Sequence, residues 1–464
     1  MMFDVFLLVI VLILFIFIIK NKPELLLLLI WILFFPILLE AVSIIAINKG
    51  LYVSELNTVT YYNNSAYIYL ISSIVFLLCF YFCLRLNNVK YKKLFSTISM
   101  IGLKNDANAD ENAYIYINFS YILVAYLYID LVVHGIPLFN NGLGLKLQYF
   151  AITAHFPLIS LVYSIVCLYT PAVMGLSLLL FKRNKLYVHS IYLLALLSLF
   201  YAYLIGFKVS GIDIILYLLF IPTVISVVHR NGIHLKINLK SISIFIGIAI
   251  IVGLFILGIF YNYNKTVNGN GSISLIDFFL QRTVGLSNHL LWAAKNSLDN
   301  TSLTISQAFQ NLISEFSAAW VQPNTFDPHY GVAKLMTFLA PSGITDFYLK
   351  NGVRMGGSYI TVFYFNCGLG ITLILSCIFA ILFEKFIRIY VKAISRKSIL
   401  EVLMATKIMY SFYSFLWNSG SIVDFFSIAN IVIILILVFL QYFKPLKVGF
   451  RNKNVGSKNE KIKV

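Results

Sequence analysis

A handful of charged residues and glycines stand out against an otherwise apolar chain. In "NGVRMGGSYITVFYFNCGLG" (351–370), Arg354, Gly356 and Gly357 sit at the start of a long hydrophobic run. Arg282, Lys208 and Lys146 stand one each in other polar connections. A guanidinium fork holds phosphate oxygens bidentately, and a helix N-terminus turns free N–H groups toward an anion. If these connections converge, the four cations and the bare glycine amides fit a diphosphate carried on a lipid. Read singly, each cation serves equally as an anchor that snorkels to headgroup phosphates. The Gly–Gly pair also suits close helix packing.

The acids suggest where a proton would go. "FDPHYG" (326–331) sets Asp327 and His329 two apart on a turn, with Glu315 upstream. A carboxylate or imidazole within reach of an attacking hydroxyl is what glycosyl transfer requires. A solvated loop histidine is the plainer account of His329. His289 and Asp346 are further candidates, as are Glu40, Asp130, Asp213 and Asp424 near span ends. Ionisable groups within spans usually face an interior and find a partner there. The chain has no P-loop, no DxD, no HExxH and no nucleophile elbow. Its five cysteines have no zinc spacing. Neither a metal nor a cofactor is expected.

These residues need elements to hold them. Of 464 residues, 60% are hydrophobic and 11% charged, with a mean hydropathy of +0.89. That is too little polar surface for a soluble domain. Apolar runs of about 20 residues recur, without strand-like alternation, so an all-α, polytopic integral membrane protein is expected. Eleven spans are predicted, at about 3–19, 25–47, 67–84, 113–133, 157–181, 187–205, 212–228, 241–261, 357–383, 399–417 and 424–443. The first reads as a retained helix. The organisation is then a bundle of eight spans (1–261), a large extracytoplasmic loop (262–356), three more spans (357–443) and a basic tail (444–464). Within the loop, 274–298 and 303–320 carry apolar residues at helical spacing and read as amphipathic helices.

With the N-terminus outside, 25 of the 35 lysines and arginines fall on the inner side, nine outside and one within a span. The net charge of +17 is therefore topology and attraction to anionic lipid, with no nucleic-acid partner implied.

On these residues the chain resembles the O-antigen polymerases, the Wzy-type oligosaccharide repeat-unit polymerases. "GGSYITVFYFNCGLG" (356–370), "HGIPLFNNG" (134–142), "FKVSGIDIILYLL" (207–219) and "FFLQRTVGL" (278–286) carry the likeness, together with many spans and one dominant late loop. Some members place a glycine eleven positions after an arginine in two outer loops; here Ala293 follows Arg282 and Phe365 follows Arg354. Lys208 stands where arginine is common.

The resemblance implies a glycosyltransferase at the outer face of the bacterial inner membrane. It would join undecaprenyl-diphosphate-linked oligosaccharides en bloc, in polysaccharide or lipopolysaccharide biosynthesis. Arg282 and Arg354, supported by Lys208 and Lys146, would neutralise the leaving diphosphate. His329, Asp327 or Glu315 would serve as base. A repeat-unit flippase and a chain-length regulator are the implied partners. The alternatives are an O-antigen ligase, and a flippase or exporter of lipid-linked glycans.

Overall fold

The computed structural model describes residues 2–101, 107–137, 139, 149–150, 156–180, 185–205, 287–298, 304–321, 327–350, 354–396 and 398–442. Among these the fold is helical, apart from two short antiparallel strands that pair Tyr52 with Val59 and Val53 with Thr58. Four helices are long and apolar enough to cross a membrane: Phe3–Asn21, Ser65–Leu86, Ile115–His134 and Tyr359–Ser395. Shorter apolar helices cover Ile32–Ile47, His189–Leu204 and Ile428–Tyr442. The predicted spans at 212–228 and 241–261 lie outside the described residues, so the count of eleven reaches beyond them.

Helix α1 (Met2–Asn21) shows why such segments belong in a bilayer. Leu7, Val11, Phe15 and Ile18 are buried, a stripe at helical spacing, while Phe3, Phe6, Ile13, Ile16 and Phe17 are exposed. A helix apolar on both faces needs apolar surroundings on both.

The second apolar run is not a uniform helix. It runs through α2 (Leu26–Leu29), a π-helical stretch (Ile30–Phe34) and α3 (Phe35–Ile47). Pro36 has no N–H to give, and the N–H of Phe35 bonds Ile30 O, five residues back. A second π-stretch, Ser414–Ser419, ends the helix that begins at Ile399.

The largest departure from the predicted layout is at 357–383. The segment Tyr359–Ser395 is not one straight span, because Gly368 adopts φ 76°, ψ 176° and breaks it. Seventeen positions along an unbroken helix span about 25 Å. Yet the Tyr359 hydroxyl donates to Ser376 Oγ at 2.9 Å, and the Tyr359 and Phe379 rings lie 5.3 Å apart. The chain therefore runs along a half-helix (359–367), reverses at Gly368 and returns beside it as a long helix (369–395). The glycine-rich entry is thus folded into the bundle. It packs on α4 (Ser65–Leu86) through Phe76, which touches Tyr359, Phe383 and Trp417. Phe379, Phe412, Phe415 and Phe425 complete an aromatic core. Between helices in a bilayer such rings contribute through close van der Waals packing rather than through removal from water.

A second apolar cluster joins the helices Ala107–His134, Ile159–Leu180 and Lys185–Leu204 through Leu127, Leu131, Tyr163, Leu194 and Tyr201. In the predicted large loop, helices form at His289–Leu298, Ile305–Val321, Gly331–Leu339 and Ser342–Lys350. The last two follow the turn-rich 321–331 stretch and were not expected from the spacing of apolar residues.

Candidate functional site

The two π-stretches and the glycine-rich entry meet around one cavity of about 230 Å³. Phe35, Leu39 and Glu40 line it from just beyond the first π-stretch. Trp417 and Asn418 line it from the second, with Tyr413 just before that stretch, and Ser287 and Gly356 complete the lining. π-Helical turns recur at functional sites because the widened backbone turn shifts side chains off the regular face. Here the second carries Trp417 and Asn418, and the first leads directly into the turns that carry Phe35, Leu39 and Glu40.

Glu40 is the unusual member. It is 3% exposed, and neither carboxylate oxygen makes a hydrogen bond. The hydroxyls of Ser358 and Tyr69 lie beside it, but Tyr69 directs its proton to Ile37 O at 3.4 Å. The indole Nε1 of Trp417 is also buried without a hydrogen bond. A stranded acceptor and a stranded donor thus belong to residues lining the same cavity. Leaving such groups unsatisfied costs about 1–3 kcal/mol each, more for a charge, so a site that keeps both is built around something else.

The half-helix begins at this wall. Ser358 takes the N-cap position in extended conformation but makes no side-chain cap bond. Thr361 N donates to Ser358 O at 3.1 Å, so the N–H groups of Ser358, Tyr359 and Ile360, with the positive end of the dipole, are left without a side-chain cap from Ser358. Arg354, two residues before Gly356, pairs with Asp424 through Nη2 and Oδ2 at 3.2 Å, both side chains being largely buried. Gly357 packs on the Val332 side chain, so its small size serves packing as well as the entry turn.

The remaining expected site residues form a brace behind this turn. Glu315 is buried, and its carboxylate accepts from Gly331 N at 3.0 Å and Asn366 Nδ2 at 3.0 Å. Lys334 Nζ donates to Asn366 Oδ1 at 2.9 Å. Burial pushes the Glu315 carboxyl above the ordinary range, while Lys334, the Gly331 N–H and the Asn366 amide pull it back. Asp327 accepts from His329 N at 2.9 Å, and its Oδ1 lies 2.7 Å from His329 Nδ1, an Asx-type turn. Burial raises the Asp327 carboxyl, but the His329 N–H and ring more than offset this and hold it below its usual value. The His329 side chain is 79% exposed. Glu315, Asp327 and His329 thus share one neighbourhood, and none of them lines the cavity.

His289 is buried with Nε2 3.1 Å from Glu55 Oε2, and the Tyr348 hydroxyl donates to Glu55 Oε1 at 2.8 Å. Trp292 Nε1 donates to Tyr61 O, and Asn63 Nδ2 to Trp292 O. These contacts fasten His289–Leu298 to the connection after α3. Asp130 accepts from Phe156 N at 2.9 Å and lies 3.1 Å from His134 Nδ1.

Of the expected anion-binding set, Gly356 lines the cavity, while Arg354 pairs with Asp424 and Gly357 packs on Val332. Arg282, Lys208 and Lys146 lie outside the described residues. Trp417, Asn418 and Ser287 were not anticipated. "LWNSG" (416–420), a polar trio ending an apolar run, is the signal that points to the first two.

The fold defines an all-α protein with membrane-length apolar helices and a broken helical hairpin at its site. A family model, described as a family of unknown function (DUF6418), matches residues 325–434. That stretch holds Asp327, Arg354, the hairpin, Trp417 and Asp424; Glu40 and Ser287 reach the cavity from outside it. No curated protein and no solved structure matches the chain.

Proposed function

We propose that this protein is a membrane glycosyltransferase that extends a lipid-diphosphate-linked glycan, in the manner of the O-antigen polymerases it resembles. One observation carries the reading: a partly polar cavity inside an apolar bundle reaches Gly356, two residues before the half-helix N-cap Ser358 and two after Arg354. A helix N-terminus and a guanidinium suit a diphosphate. Glu40 and Trp417 suit sugar hydroxyls, which both donate and accept. The reaction would use undecaprenyl-diphosphate-linked repeat units at the outer face of the bacterial inner membrane, with the N-terminus outside and the C-terminus in the cytoplasm. It would run alongside a repeat-unit flippase and a chain-length regulator.

As charge builds on the departing diphosphate, Arg354 and the half-helix dipole would stabilise it, an effect typically worth about 3–4 kcal/mol per donor removed. Lys146, Lys208 and Arg282 would add to this if their connections reach the same face.

Polysaccharide gel profiles of a deletion strain, with and without this chain, test the proposal. Restored long ladders support it; unchanged single-unit products overturn it. A broken half-helix facing a cavity is also a transporter device. Flipping of labelled, intact carrier in vesicles without glycan growth would favour a flippase or exporter. Transfer of glycan to a lipid A core would mark a ligase.

A further inference from the structure

We propose that Glu40 is the general base of this reaction and that Trp417 holds the attacking hydroxyl against it; the assignment rests on the glycosyl-transfer reading above. Glu40 occupies the position a base needs. It lines the cavity and is buried, and the hydroxyls beside it, Ser358 and Tyr69, hold neither oxygen in a well-formed hydrogen bond. A base already engaged would have to give up its partners first. Glu315 is in that situation, its carboxylate tied to Gly331 and Asn366. Asp327 is likewise bound to His329 in a turn, away from the cavity.

Two unsatisfied groups of opposite kind, an acceptor and a donor, belong to residues lining this cavity. A sugar O–H can donate its proton to a carboxylate and accept an indole N–H, so a hydroxyl in this cavity has a use for each of the two residues. Asn418 and Ser287 on the same wall carry further polar groups for neighbouring hydroxyls. Pro36 and the π-stretch before it lead into the helical turn that carries Glu40, and the second π-stretch carries Trp417.

In the step itself, the acceptor oxygen forms a bond to the anomeric carbon of the donor sugar. The bond from that carbon to the diphosphate oxygen breaks, and the diphosphate leaves with the electron pair. The hydroxyl proton passes to the Glu40 carboxylate and from there to water. Nothing is oxidised or reduced, and no further reactant is needed.

The test uses the full chain in proteoliposomes with undecaprenyl-diphosphate-linked repeat units. It follows glycan length and, separately, binding of the carrier-linked unit by tryptophan fluorescence. Glu40→Gln keeps the shape and removes the base; its turnover should fall by about 100-fold or more, as for loss of a general base, with binding within about threefold. Glu40→Asp, which keeps the carboxylate but draws it back, should recover part of the rate and retain the acid limb of the pH–rate profile. Trp417→Phe should lower turnover by about tenfold. Glu40→Gln turnover above a third of wild type, with an unchanged pH profile, would overturn the assignment while leaving the polymerase reading standing. A wild-type protein that binds the unit but never lengthens it would remove the reading, and the base with it.

Discussion

The carbonyl oxygen of Ser358 lies so close to Gly420 that a Cβ placed on Gly420 would stand 2.5 Å from it. Gly420 also has φ +57°, a conformation side chains rarely take, and it ends the second π-stretch. One backbone contact therefore sets the half-helix entry against the turn that carries Trp417 and Asn418. Gly420→Ala should push the two apart, and overpacking with positive-φ strain costs about 1–3 kcal/mol. The melting temperature in detergent should drop by several degrees, and Trp417 fluorescence should shift. A variant with wild-type melting and emission would show that this contact does not set the cavity.

Gly368 presents the opposite case. A Cβ there would meet nothing within 4 Å, so space is not the constraint. Its φ 76°, ψ 176° lies in a region open essentially to glycine alone. Gly368→Ala should destabilise the hairpin by about 1–3 kcal/mol and weaken the Tyr359–Ser376 contact. Cysteines placed at 359 and 376 would report this: cross-linking should be efficient with Gly368 and fall with alanine. Equal cross-linking in both would mean that the reversal does not depend on this glycine.

The reversal was not legible in the sequence, and the reason is physical. Hydrophobicity marks which residues leave water but carries no sign of direction, so 357–383 reads as one crossing. Only a dihedral at Gly368 turns it back, and Gly370 two positions on has the same letter. The apolar runs themselves were legible: Ser65–Leu86 and Ile159–Leu180 follow directly from length and composition. Arg354 and the glycine pair were visible as exceptions in an apolar context. Glu40 was visible as an acid in a span. Its significance was not, because that depends on how its buried oxygens are left among their neighbours beside a cavity, which is a property of packing. Glu315 and His329 looked like equals on paper, yet one is enclosed by hydrogen bonds and the other faces solvent.

Glu315 should leave a mark on stability against pH. Burial raises its folded-state carboxyl above the ordinary value near 4.5, with Lys334 and two hydrogen bonds opposing. As pH rises from acid, the unfolded carboxyl releases its proton first and the folded one retains it. The folded state then binds more protons, so stability falls through that window and is level below it. Glu315→Gln cannot titrate. The difference in melting temperature between wild type and this variant should therefore change with pH from about 4.5 up to the raised value, and be flat at lower pH. A constant difference across that range would place the Glu315 carboxyl at its ordinary value.

Arg354 carries the sharpest prediction for activity. Its Nη2 pairs with Asp424 at 3.2 Å, leaving a fork whose orientation the pair sets. If the guanidinium stabilises the leaving diphosphate, Arg354→Ala should reduce elongation by about 10²- to 10³-fold. Long ladders should vanish while single-unit products persist. Arg354→Lys keeps the charge but replaces the planar fork with a single ammonium, so it should recover only part of the rate. Asp424→Asn removes the carboxylate that orients the fork and should cost less than removing the fork itself. Gel profiles at matched protein levels measure all three. Full ladders from Arg354→Ala would exclude a role for this guanidinium in the reaction, and the anion would then have to be held from Arg282, Lys208 and Lys146.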